Sequence, residues 1–129
     1  MKNGNYAIYH GKEYSADYIK NRGVVLRSPN IEDIAEGFEV YNGFNKTIAC
    51  IKFVDKKNLQ EFYRLRTKAI YSGYEFEVVD EKDNLVSIVA TTGDYRVWEK
   101  MGMHCIDKGV YQKWINKKEA EIKVEKEAL

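Results

Sequence analysis

The chain repeats itself, and that repeat restricts its fold more than any other feature. Ala7-Ile8-Tyr9-His10-Gly11-Lys12-Glu13-Tyr14 matches Ala69-Ile70-Tyr71-Ser72-Gly73-Tyr74-Glu75-Phe76 at five of eight positions, with position 7 falling on position 69. Further matches follow in the same order. Val24, Leu26 and Ser28 fall on Val86, Ile88 and Ala90, and Phe53-Val54-Asp55-Lys56-Lys57 parallels Trp114-Ile115-Asn116-Lys117-Lys118. Asp33…Gly37-Phe38 and Asp94…Gly102-Met103 pair between them, with the drift in spacing that loops allow. Collinear matches at one period indicate an internal duplication rather than two similar hairpins.

Each copy reads as a succession of short strands. A first strand (Tyr6–Tyr9; Ala69–Tyr71) reaches a glycine and continues through Lys12–Asp17 or Tyr74–Val79. Polar turn residues follow, then a strand over Val24–Ser28 or Leu85–Thr91, ended by Pro29 or Gly93. A short helical turn is expected over Ile31–Phe38 and Tyr95–Met101, where an aspartate suits the first turn. Strands over Thr47–Val54 and Val110–Ile115 come next, and Glu61–Arg66 or Glu121–Glu125 closes each copy. Glu121-Ile122-Lys123-Val124-Glu125 alternates strictly, so a strand is preferred there over the helix that its Glu, Lys and Ala content would also suit. The fold class is therefore mostly β with short helices, as two tandem, closely packed small barrel-like modules over residues 1–64 and 65–129. Between them Phe62–Tyr71 contains neither Gly nor Pro, so one long strand is expected to run from copy to copy, giving a rigid pair with a shared core.

Composition supports a packed, pleated chain: ten Tyr, five Phe and two Trp stand against a single Pro. No stretch is apolar for long enough to cross a bilayer, and Met1-Lys2-Asn3-Gly4 does not open a signal region, so a cytoplasmic protein with no membrane association is expected. Lys plus Arg total 21 against 20 Asp plus Glu, a net charge of +1 that does not favour nucleic acid as a partner. Cys50 and Cys105 form no metal-ligand spacing and read as reduced, partly buried thiols.

No residue pattern points to catalysis, a cofactor or a metal. Nucleophile elbows, phosphate-binding loops and zinc or calcium motifs are absent from the sequence. His104 adjoins Cys105, but neighbours on a strand point to opposite faces and are badly placed to act as a pair. His10 falls in a turn where the other copy has Ser72, and a solvated turn histidine is the simpler reading. Glu13 and Glu75 are explained by the repeat, each as a cross-strand partner for Lys or Arg in its own module. Trp98 and Trp114 suit a core, Trp114 especially because its counterpart is Phe53.

Charge is distributed unevenly. Ile31–Val40 carries Glu32, Asp33, Glu36 and Glu39 without a basic residue, and a second acidic run covers Glu75–Asp83, while Lys46–Lys68 is mostly basic. An acidic side suits docking onto a basic partner, with tyrosines such as Tyr41, Tyr95 and Tyr111 offering contact area at little entropic cost. Residues that the copies do not share, the acidic Ile31–Val40 run and the Tyr95–Cys105 segment, are the better functional candidates, and Glu32, Asp33, Glu36, Glu39, Tyr41, Asp94, Tyr95 and Trp98 are the expected partner-binding residues.

The succession of short strands, with one helical turn before the last ones, resembles the Src-homology-3-like small barrel in architecture. Its peptide-binding signatures are missing, so proline-rich ligands are not implied. The pattern Ala-Ile-Tyr-x-Gly-x-Glu followed by Gly37-Phe38 or Gly102-Met103, with Asp107-Lys108-Gly109-Val110-Tyr111-Gln112-Lys113-Trp114-Ile115-Asn116 near the end, resembles small bacterial immunity proteins of polymorphic toxin systems. That resemblance implies a non-catalytic, cytoplasmic protein-binding module that neutralises a cognate toxin domain, often a nuclease. A nucleic-acid-binding protein using the Lys46–Lys68 strip is the alternative.

Overall fold

The computed structural model describes residues 2–42 and 48–129. The chain divides into two compact units: an N-terminal unit of Gly4–Arg64 with Glu127–Leu129, and a C-terminal unit of Leu65–Lys126 with Lys2 and Asn3. Both are mostly β with short helices, as the sequence predicts.

In the N-terminal unit β1 (Gly4–Tyr9), β2 (Lys12–Ile19) and β3 (Gly23–Ser28) lead to a 3-10 helix over Ile31–Glu36. β4 (Glu39–Asn42), β5 (Ile48–Val54), a 3-10 turn over Lys56–Asn58 and the start of β6 (Glu61–Tyr71) complete it. The C-terminal unit takes up the rest of β6, then β7 (Tyr74–Lys82), β8 (Leu85–Ala90), helix α1 (Tyr95–Lys100), β9 (His104–Asp107), β10 (Val110–Asn116), a 3-10 turn over Lys117–Glu119 and β11 (Glu121–Ala128). The element order is the same in both. β6 is the continuous strand expected over Phe62–Tyr71, and Glu121–Ala128 is a strand rather than a helix. Thr47, which the sequence places in the strand now seen as β5, lies outside the described residues.

Register confirms that the duplication is structural. Ala7 faces Tyr14 and Ala69 faces Phe76; Ala16 faces Leu26 and Val78 faces Ile88. Val24 faces Val54, and Val86 faces Ile115. The copies part at Val79, where a bulge in β7 shifts the pairing from Val78 to Asp80 and turns Val79 outward. Both first hairpins turn on residues with positive φ, His10-Gly11 and Ser72-Gly73, the geometry whose twist matches the flanking strands.

Strand pairing in the N-terminal unit runs β4-β5-β3-β2-β1-β6, and in the C-terminal unit β6-β7-β8-β10-β9 with β11 also on β6. Among the described residues each path ends on a four-residue strand paired on one side, so the pairing is that of an open sheet where the sequence suggested small barrel-like modules. The difference lies in β4 and β9, for which the sequence sets no strand bounds although His104 and Cys105 read as strand neighbours. Each adds to the sheet beyond β5 or β10, where a barrel would have to close.

Each unit holds a cluster of buried side chains. Ala7, Tyr14, Ala16, Val24, Leu26, Phe38, Cys50 and Val54 form the first. Ala69, Phe76, Val78, Val86, Ile88, Trp98, Met103 and Ile115 form the second. Trp114 falls outside, 41% exposed against the expectation of a core residue, because its neighbour Ile115 takes the inward position of the alternation.

One lysine closes each helix. Lys52 Nζ donates to Glu36 O (3.1 Å) and lies over the Tyr9 ring; Lys113 Nζ donates to Met101 O (2.9 Å) and lies over Tyr71. A cation at helix-terminal carbonyls is favourably placed. A tighter constraint sits at Gly23, where φ is +89° and an added Cβ would stand 2.7 Å from Val54 O. Gly23→Ala is expected to lose about 1–2 kcal/mol from the left-handed backbone alone, and more from displacing β5. Urea denaturation would show it, and a variant as stable as the parent would contradict this geometry.

Candidate functional site

The segment from Ile31 to Tyr41 folds around Asp33. Ser28 Oγ accepts from Asn30 N (3.0 Å) after the last residue of β3, and Asp33 N bonds Asn30 O (3.1 Å) to start the 3-10 helix. Gly37, at φ +88°, ends it and donates to Ile34 O, while Phe38 N returns to Asp33 O. The Asp33 side chain points inward and is buried. It accepts from the Ser28 hydroxyl and from Lys12 Nζ, which lies 3.1 Å from both carboxylate oxygens. Ser28 foremost, with Lys12, holds this carboxyl below the usual aspartate range, against the opposing effect of burial.

With Asp33 and Phe38 turned in, the remaining side chains face out. Ile31, Ile34, Val40 and Tyr41 are 62%, 43%, 48% and 52% exposed, interspersed with exposed Glu32, Glu36 and Glu39. β4, which carries Glu39, Val40 and Tyr41, pairs with β5 alone among the described residues. The result is an apolar surface studded with carboxylates. Sequence reading found the acids but not the two isoleucines. Their spacing looks like a core stripe, and only the inward rotation of Asp33 exposes them.

The C-terminal unit builds a similar frame with mixed charge. Ile31–Glu36 and Tyr95–Lys100 are both six residues long, and the second carries Arg96, Glu99 and Lys100 where the first carries only acids. Register on the next strand sets His104 (opposite Gln112) at the place of Glu39 (opposite Ile51). Asp94 is the N-cap, accepting from Arg96 N (3.0 Å) and the Arg96 guanidinium (3.1 Å), which lowers its carboxyl below the ordinary range. Tyr95 is exposed. Trp98 is not: it packs at 5.2 Å on both Phe76 and Tyr74 and donates its indole N–H to Thr92 O (3.1 Å).

These placements also realign the copies. Asp33 corresponds to Trp98, whose carbonyl likewise accepts from the residue after the glycine, Met103. The sequence had set Asp33 beside Asp94. Of the candidate residues, Glu32, Glu36, Glu39 and Tyr41 are exposed, while Asp33 and Trp98 are interior. Asp94 and Tyr95 belong to the other unit.

Glu75 does pair with lysines, Lys68 at 3.2 Å and Lys123 at 2.9 Å, and Glu13 accepts from the Tyr63 hydroxyl. Burial, and then Glu13, push that hydroxyl well above the ordinary tyrosine value. Within the basic strip, Lys52 caps its helix, Arg64 donates to Asn5 Oδ1 (3.2 Å), and Lys68 also bonds Glu125 (3.3 Å). Lys46 lies outside the described residues. Cys50 is buried, but Cys105 is exposed on β9 rather than partly buried, its thiol 3.0 Å from Asp107 O. His10 stacks on Tyr9 at 3.9 Å in its turn. Among the described residues no cluster of His, Cys, Asp and Glu is arranged to hold a metal ion, and no helix is long and apolar enough to cross a membrane.

The chain belongs to the family described as Uncharacterised conserved protein UCP033725, whose model matches residues 1–129. No curated protein and no solved structure matches it.

Proposed function

We propose that this member of the family is a non-catalytic protein-binding module, an immunity protein that masks a basic bacterial toxin domain with the face formed by Ile31–Tyr41. One observation carries the reading. In the Ile31–Tyr41 segment exposed Glu32, Glu36 and Glu39 stand among exposed Ile31, Ile34, Val40 and Tyr41 with no basic residue, whereas the Asp94–Asp107 segment mixes Arg96 and Lys100 with Asp94, Glu99 and Asp107. Apolar side chains provide the area removed from water, and the carboxylates steer and orient a cationic surface. The edge of β4 away from β5 offers backbone hydrogen bonds to the same partner. Such an antidote acts in the cytoplasm of the cell that makes it, and a nuclease, whose substrate cleft is basic, is the toxin class that fits.

Co-expression with a toxin domain encoded next to this chain tests the proposal, read as growth. Protection is expected from the native protein and is expected to fail for the triple variant Glu32→Lys, Glu36→Lys, Glu39→Lys. Exposed ion pairs are each worth about 0.2–1 kcal/mol, so three reversals should weaken the purified complex by roughly tenfold to a hundredfold. The melting temperature should stay close to that of the parent, since none of the three is buried. A native protein that gives no protection overturns the immunity reading. A triple variant that protects fully removes this face from the interface.

A further inference from the structure

The copies differ again on the face of each sheet that points away from its core cluster. In the N-terminal unit Asp17 and Phe53 both stand opposite Val25, so the three form a row across β2, β3 and β5. In the C-terminal unit Asp80 and Trp114 both stand opposite Ser87, in the same row across β7, β8 and β10. Residues directly opposite in an antiparallel pair share a face. The bulge at Val79 is what brings Asp80 into line. Each row therefore keeps a carboxylate at one end, a buried residue in the middle and an aromatic ring at the other end.

Two arginines of the N-terminal unit engage the first row. The Arg22 guanidinium lies over the Phe53 ring, 4.0 Å from its centre, and Arg27 pairs with Asp17. The second row keeps both acceptors and has neither arginine. Asn84 immediately precedes β8 as Arg22 precedes β3, in a turn one residue shorter. Arg27, two residues beyond Val25, gives way to Val89, two residues beyond Ser87. Among the described residues no cation, Lys82 included, meets Asp80 or Trp114: the Asp80 carboxylate accepts from Glu81 N (2.7 Å), and Trp114 is exposed. Lys113 and Lys117, next to Trp114 in sequence, bond Met101 O and Glu81. Leu85, two residues from Ser87 on β8, and Val79 are exposed as well. An exposed tryptophan beside aliphatic side chains has the makeup of an interface anchor.

We propose that this row binds an arginine side chain of a protein partner, its guanidinium stacked on Trp114 and turned toward Asp80, with apolar neighbours of that arginine on Leu85 and Val79. Asp80 and Trp114 lie two strand spacings apart, roughly 10 Å between backbones, which their side chains and a guanidinium between them can close. A planar guanidinium stacks on the indole while its edge faces the carboxylate, whereas an ammonium is a point charge. The site lies in the C-terminal unit and does not depend on the acidic face proposed above. The probe is the peptide acetyl-Leu-Arg-Leu-amide, titrated into the full chain while the two indole N–H resonances are followed. A saturable shift of Trp114 is expected, with Trp98 unmoved because its N–H is held by Thr92 O. The same peptide with lysine for arginine should bind about threefold more weakly or worse. Asn84→Arg supplies to Trp114 the cation that Arg22 gives Phe53, and should weaken peptide binding by about threefold or more. Asp80→Asn removes the counter-charge and should weaken it by about twofold or more. Both positions are exposed, so both variants should keep the parent fold. Absence of a saturable Trp114 shift overturns the proposal, and equal binding of the lysine peptide overturns the guanidinium. Undiminished binding by Asn84→Arg overturns stacking on Trp114, and undiminished binding by Asp80→Asn overturns the part given to that carboxylate.

Discussion

Trp98→Ala is expected to cost about 3–5 kcal/mol, the usual range for removing a large buried aromatic side chain. Trp98 sits at the junction of α1 with the sheet, 8% exposed, its ring at 5.2 Å from Phe76 and from Tyr74 and part of the same cluster as Ile88 and Met103. Truncation opens a cavity beside Gly93, which stands close against the indole and has no side chain to fill the space. Thr92 O also loses its donor. Urea denaturation followed by circular dichroism would register the change as a lower midpoint with little change in slope. A loss below about 1 kcal/mol, the range of exposed sites, would show that the indole does not hold α1 in place.

At the equivalent place in the other unit, Asp33→Ala is expected to cost about 2–3 kcal/mol, through the loss of charge-assisted hydrogen bonds and a buried Ser28 hydroxyl left without its acceptor. This loss depends on pH. Ser28, with Lys12, keeps the Asp33 carboxyl ionised to lower pH in the folded chain than in the unfolded one. A depressed carboxyl stabilises the fold fully above the unfolded value, about 3.9, and the contribution disappears as pH falls through the lower, folded value. The gap between parent and Asp33→Ala should therefore be widest near neutrality and narrow steadily below about pH 4. Parallel stability curves from pH 7 to pH 2 would show that Asp33 carries no such linkage.

The pair explains why parts of the protein were legible and others were not. Gly11 and Gly73, Ala7 and Ala69, and Val24 and Val86 occupy equivalent places in register, because turns and inward strand positions constrain residue type locally. Asp33 and Trp98 share a place but no chemistry, so sequence comparison aligned Asp33 with the nearest aspartate, Asp94. Burial of a carboxylate is readable only when its partners are known. Lys12 and Ser28 come from β2 and β3, brought to the helix by the sheet. β4 and β9 were missed for a related reason: four residues carry too little alternation to identify a strand, and both form by pairing with a longer neighbour.

Sequence alone determined the duplication, the β class, the continuous β6 and the acidic character of Ile31–Val40, because each depends on local pattern or on comparing one stretch with another. Tertiary structure decided which acids are exposed, that Ile31 and Ile34 join them at the surface while Trp98 and Asp33 are withdrawn, and that the pairing stays open. It also decided that Ile122 and Val124 line a groove beside Val78 and Val86 in the C-terminal unit. Those outcomes depend on which side chains meet across strands distant in sequence, and hydrophobic burial acts on the assembled surface rather than on residue type.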